Sequence, residues 1–101
     1  MEIKKNEENK NVTLSFKGWL DTDTHIQLKE ELEKISDIES LVFDFKELEY
    51  ISSSGLREVV VAYKRSKDEG FNFKIINVVP QVMSIFTMTG LHKKFDISSI
   101  E

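Results

Sequence analysis

Leu41-Val42-Phe43-Asp44-Phe45, followed by Ser52-Ser53-Ser54-Gly55-Leu56 and then by Val59, Val60 and Tyr63, is the stretch that decides the fold class. Its first five residues are too few for an independent helix and nearly continuous in apolar character, which predicts a strand covered on both faces. Leu56, Val59, Val60 and Tyr63 then recur at helical spacing. Gly70, after Ser66-Lys67-Asp68-Glu69, supplies a left-handed helix cap. A strand that turns through serines into an amphipathic helix is a building block of α/β folds.

The same alternation continues on both sides. Upstream, Val12, Leu14 and Phe16 alternate with Thr13, Ser15 and Lys17 in a half-buried strand. A short strand over Glu2 to Lys5 precedes it, joined by Glu7-Glu8-Asn9-Lys10-Asn11 as a hairpin loop. Gly18 to Asp23 reads as a turn, and Thr24 with Gln27 as a capping box opening a helix that buries Leu28, Leu32 and Ile35. Downstream, Phe71, Phe73 and Ile75 form a strand that runs on through Ile76 and Val78. Pro80 fits the first position of a third helix with Val82, Met83 and Phe86 inside. Gly90 closes that helix, with Leu91 folding back toward Phe86 in a Schellman arrangement, and Phe95 and Ile97 make a last short strand. Strand–helix alternation from Val12 onward implies parallel pairing through right-handed crossovers. With no linker, repeat or low-complexity tract, residues 1–101 read as a single domain.

Composition narrows the class. At 101 residues, 40% hydrophobic and 32% charged, the chain can close one core and does not have the makeup of a disordered protein. It has no cysteine, which removes disulfide and thiol chemistry and suits a reducing, cytoplasmic setting. No apolar run approaches the ~20 residues of a membrane span, and the first eleven residues are too polar for a signal peptide. A net charge of −4, with Lys4, Lys5, Lys64, Arg65, Lys67, Lys93 and Lys94 scattered among acids, argues against a nucleic-acid partner.

Catalytic and cofactor signatures are weak. His25 and His92 are the only imidazoles, and neither belongs to a His-Glu-x-x-His pattern. There is no Gly-x-Ser-x-Gly elbow, and the four glycines lie too far apart to form a phosphate loop. The reading is a non-enzyme without cofactor or metal.

The serine turn is the feature that carries function. One serine suffices to cap a helix, and Ser53 or Ser54 could accept from an orphan backbone N–H. Three hydroxyls before a glycine, which would let a partner's backbone approach, equally suit an exposed site. Local chemistry leaves both readings open. A phosphate on Ser53 would be tolerated by the positive end of its helix, yet would add about 1.5–2 negative charges to a surface that meets a partner. Trp19 reads either as core or as a partner anchor.

Three stations resemble one family. Phe43-Asp44-Phe45 through Ile51-Ser52-Ser53-Ser54-Gly55-Leu56 looks like the strand, loop and phosphorylatable serine of STAS domains, the anti-sigma factor antagonists. Gly18-Trp19-Leu20-Asp21 resembles their Gly-x-Leu-Asp turn, and Phe86-Thr87-Met88-Thr89-Gly90-Leu91 the end of their third helix. The resemblance implies an α/β, STAS-like mixed sheet of four to five strands with helices packed on one side. It also implies a cytoplasmic protein that binds an anti-sigma factor which is at the same time a serine kinase. By position, Ser53 takes the phosphoacceptor role, and Ser52, Ser54, Gly55, Leu56 and Asp21 join it at the partner surface. Phosphorylation would break the complex and a phosphatase would restore it. The family's usual Asp-Ser-Ser-Gly carries Ser52 here in place of aspartate, which keeps a second expectation in play: a constitutive STAS binding module of a larger signalling or transport complex.

Overall fold

The computed structural model describes residues 1–100. Five strands, β1 (Glu2–Glu8), β2 (Asn11–Leu20), β3 (Ser40–Ile51), β4 (Asn72–Val78) and β5 (Asp96–Ser99), form one mixed sheet in sequential order. β1 runs antiparallel to β2, and every later pair is parallel. The connections carry α1 (His25–Glu33), α2 (Ser53–Glu69) and α3 (Pro80–Met88), with a single 3-10 turn at Leu91–Lys93. The helices pack on one side of the sheet, and the element order is the one the hydrophobic periods predict.

The hairpin is tighter than the sequence suggests. Glu8 pairs with Asn11, so the loop is only Asn9-Lys10, both with positive φ (52° and 67°). Two left-handed residues in a two-residue loop match the natural twist of a hairpin, and asparagine tolerates that conformation well.

The central strand differs from expectation in two ways. Its burial alternates over Leu41 to Phe45: Leu41, Phe43 and Phe45 are buried, whereas Val42 and Asp44 are half-exposed. One face is therefore covered, not both; the apolar run misleads because Val42 lies on the open side. Beyond Phe45 the strand continues for six residues, and its buried positions become Leu48 and Ile51. Two register shifts against β2 cause this. Ser15 faces Asp44 but Lys17 faces Glu47, and Gly18 faces Leu48 but Trp19 faces Tyr50. Each shift is a one-residue bulge in β3, which turns the period of two into a spacing of three. Gly18, Trp19 and Leu20 likewise belong to β2 rather than to a turn, and Gly18 takes a positive φ (106°) within that strand.

The core between sheet and helices is aromatic. Phe16 meets Phe43 and Phe45 edge-on with ring centres 5.1 Å apart in both cases, and Phe43 meets Phe73 at 4.9 Å. Such pairs add about 0.5–1.5 kcal/mol each beyond the area they bury. Leu28 and Leu32 of α1, Val59 and Ala62 of α2, and Val82 and Phe86 of α3 close over these rings.

Helix ends complete the frame. Gly70 adopts the left-handed cap of α2 (φ 77°), its N–H bonding the Ser66 carbonyl at 2.9 Å. Pro80 stands at the start of α3 as expected. The Schellman closure of α3 forms only in part: the Gly90 N–H bonds the Thr87 carbonyl at 3.2 Å, but the bond from the Leu91 N–H to the Phe86 carbonyl is not made. Gly90 is left-handed (φ 76°), but the Phe86 carbonyl is met by Thr89 Oγ1 at 3.1 Å and His92 Nδ1 at 3.3 Å. Those side chains satisfy the carbonyl, and Leu91 is free to begin the 3-10 turn.

Candidate functional site

The serine turn lies where β3 ends and α2 begins, and the structure separates its three hydroxyls. Ser52 is the helix cap: its backbone is extended (φ −93°, ψ 176°) and its Oγ accepts from the Gly55 N–H at 3.3 Å. The Ser52 carbonyl takes the first helical bond from the Leu56 N–H at 2.8 Å. The expectation that Ser53 or Ser54 caps the helix is therefore corrected. The cap needs a residue outside the helix, and that residue is one position earlier. Ser53 is the first residue of α2 and is exposed, with no partner for its hydroxyl among the described residues; Ser54 is half-buried.

Gly55 also has a packing role that the sequence does not show. It is buried, and a Cβ there would lie 2.7 Å from the Leu20 carbonyl oxygen, 2.8 Å from Leu20 Cγ and 2.9 Å from Ile51 Cγ1. The missing side chain lets α2 start against the ends of β2 and β3, so it serves the chain's own packing. Leu56 is buried as well, at 9% exposure. Of the residues expected at the partner surface, Ser53 is the outward one on α2, while Gly55 and Leu56 seat it.

Asp21 reaches the same place through Leu20, whose carbonyl accepts from the Ser52 N–H at 2.9 Å. Asp21 Oδ1 accepts from the N–H groups of Asp23 (3.0 Å) and Thr24 (3.1 Å). Thr24 Oγ1 accepts from the Asp21 N–H at 2.9 Å, and its one proton is shared between the Trp19 carbonyl at 2.6 Å and Asp21 Oδ1 at 3.0 Å. The predicted capping box of Thr24 with Gln27 is absent: Thr24 has helical φ and ψ and its hydroxyl is turned back to the loop. Burial tends to raise the Asp21 carboxyl's pKa. Hydrogen bonds from the Thr24 hydroxyl and from the Thr24 and Asp23 N–H groups outweigh that and leave it below its ordinary 3.8.

Sequence reasoning missed three features around this turn. Trp19 and Tyr50 pair across β2 and β3 with ring centres 5.3 Å apart, and both are exposed, at 56% and 42%. This places Trp19 outside the core. The bulges that put Tyr50 opposite Trp19 leave no period to read. His25 Nδ1 donates to Glu58 Oε2 at 2.8 Å, tying the start of α1 to α2. Arg65 bonds the Leu32 and Ile35 carbonyls, tying the end of α1 to the same helix. The helical stripe of α1 holds no hint of these polar ties.

Neither histidine bonds a serine hydroxyl. His25 is directed to Glu58 and His92 to a backbone carbonyl. The site is thus a shaped surface: an exposed hydroxyl on a firmly seated helix start, an acidic loop held beside it through Leu20, and an aromatic pair on the adjoining strand ends.

Comparison with known proteins agrees with this frame. The model of the STAS domain family matches residues 1–100. The anti-sigma-B factor antagonist of Bacillus subtilis (strain 168) is 28% identical over 100 residues, covering 98% of this chain and 90% of its own. Among solved structures, an anti-sigma factor antagonist from Mycobacterium paratuberculosis superposes with a TM-score of 0.85 at 21% identity, over 95% of this chain and 83% of its own. SpoIIAA of Bacillus superposes in two forms. The unphosphorylated form gives 0.83 at 17% identity over 97% and 89% of the two chains; the phosphorylated form gives 0.73 at 15% over 97% and 92%.

Proposed function

We propose that this chain, which belongs to the STAS domain family, is an anti-sigma factor antagonist that binds an anti-sigma factor through the surface around Ser53 and is released by phosphorylation there. The family is one of binding proteins rather than enzymes. The observation that carries the reading is the division of labour among the serines: Ser52 caps the helix, so Ser53 remains exposed and uncommitted at its first residue.

Phosphorylation would proceed by attack of Ser53 Oγ on the γ-phosphorus of ATP bound to the anti-sigma factor acting as kinase. An Oγ–P bond forms, the bond from that phosphorus to the β,γ-bridging oxygen breaks, ADP leaves, and the hydroxyl proton passes to a base of the kinase. The chain then carries about 1.5–2 extra negative charges on an outward residue. The packing of Gly55 and Leu56 beneath is untouched, so the surface changes while the fold does not. A phosphatase would reset it, and the setting for such a cycle is the cytoplasm.

Ser52 supports a second reading, a constitutive STAS module. It keeps the cap that an aspartate would supply but not the charge that would lie beside the acceptor. One experiment separates the two. Ser53→Asp is expected to abolish capture of the partner from the native host while circular dichroism stays native, and the chain recovered with ATP present is expected to be heavier by one phosphate. Undiminished capture by Ser53→Asp, with no phosphate gained, would leave the constitutive reading standing.

A further inference from the structure

We infer that Arg57 is the chain's own receiver for a phosphate on Ser53, an inference that rests on the proposed phosphorylation of that residue. Ser53 and Arg57 are four residues apart on α2 and both are exposed. Side chains at that separation are neighbours on a helix, with Cβ atoms about 5–6 Å apart, and the favourable order places the anion nearer the N-terminus. Ser53 followed by Arg57 has that order.

Arg57 is also uncommitted. The ion pairs among the described residues join Lys4 to Glu2, Lys10 to Asp37, Lys34 to Glu31 and Arg65 to Glu69, and His25 bonds Glu58; none uses Arg57. It lines a groove between α1 and α2 with Lys29, Glu33, Glu58 and Arg65. In that groove Glu58 is held by His25, and Arg65 is occupied by Glu69 and the Leu32 and Ile35 carbonyls. Glu33 on α1 is the carboxylate left to compete for Arg57, and Lys29 stands beside it. Asp21, in the loop before α1, has its carboxylate engaged by Thr24 and Asp23.

The phosphoserine oxygens would be met by a planar guanidinium capable of two parallel hydrogen bonds. The uncharged Ser52 removes the like-charge repulsion that an aspartate in its place would exert on the same phosphate. Phosphorylation then has two consequences. It makes residue 53 anionic, and it draws Arg57 away from the groove mouth, so the surface changes over a full helical turn rather than at a point.

The test uses the full chain with phosphoserine placed at position 53 during translation, which needs neither kinase nor partner. The second ionisation of the phosphate is followed by phosphorus NMR across pH. The midpoint is expected about 0.3 of a pH unit lower in the parent chain than in Arg57→Gln. Arg57→Lys should fall between them, and the gap should shrink in roughly 1 M salt. Equal midpoints in the parent and in Arg57→Gln would sink the receiver role outright. A lowered midpoint together with undiminished partner capture by Ser53→Asp would instead sink the functional reading and leave the receiver standing.

Discussion

Gly55 lies so close beneath Leu20 that a Cβ on it would approach the Leu20 carbonyl oxygen to 2.7 Å. That oxygen is fixed, because it also accepts from the Ser52 N–H at 2.9 Å. A backbone atom held this way cannot give as a flexible side chain would. Gly55→Ala is therefore expected to destabilise the chain by about 2 kcal/mol, as overpacking does in rigid cores, and to displace the start of α2. Urea unfolding measures it. A midpoint equal to that of the unaltered chain would mean that the helix start is not pinned by this contact.

Ser52 has a cap's job, and its replacements should behave accordingly. Ser52→Ala loses the bond to the Gly55 N–H and is expected to cost about 1 kcal/mol. Ser52→Asp retains an acceptor oxygen and adds a favourable anion at the helix start, so its stability should lie within about 0.5 kcal/mol of the parent. Should alanine and aspartate prove equally destabilising, the side chain is not acting as a cap.

These contacts mark the limit of what the sequence shows. Element order, the parallel alternation, the Gly70 cap and the place of Pro80 follow from periodicities that any core-facing strand or helix must obey. The second half of β3 does not, because two bulges move the buried positions beyond Phe45 to Leu48 and Ile51 and erase the alternation. The cap of α2 is ambiguous in the sequence, since three adjacent serines are chemically equivalent until a backbone angle distinguishes them. Gly55 resembles an opening for a partner because a glycine's sequence neighbours do not reveal the carbonyl of Leu20, thirty-five positions earlier in the chain.

The bond between His25 and Glu58 joins α1 to the helix that presents Ser53. Glu58 is almost fully buried, so a lost partner leaves its carboxylate short of a donor. His25→Ala is expected to cost about 1–2 kcal/mol. A double-mutant cycle with Glu58→Gln should return a coupling of about 1 kcal/mol. Strict additivity would show that the two side chains do not act on each other.

Asp21 sets an acid limit on the loop beside the serine turn. Burial works against its ionised form, but the hydrogen bonds from Thr24 and Asp23 prevail and hold its carboxyl below 3.8 in the folded chain. A group whose folded value is depressed contributes stability above its unfolded value and loses it as pH falls through the folded one. Asp21→Asn should therefore be less stable than the parent at neutral pH. The difference should close as the pH drops below about 4. Thermal midpoints of both chains across that range are the measurement, and a gap that persists undiminished in acid would contradict the assignment.

Trp19 is the one tryptophan in the chain, and its exposure beside Tyr50 makes it both a candidate contact and its own reporter. The ring is more than half accessible, so removing it takes little from the core. Trp19→Ala should change stability by less than about 1 kcal/mol. Exposed aromatic side chains concentrate binding energy when a partner desolvates them. If the partner of the Ser53 surface reaches over the strand ends, Trp19→Ala should weaken its binding at least about tenfold. The fluorescence of the unaltered chain should shift to the blue as the complex forms. A titration that reaches saturation through Ser53-dependent binding, with no change in Trp19 emission and no loss on Trp19→Ala, would confine the interface to the helix side of the serine turn.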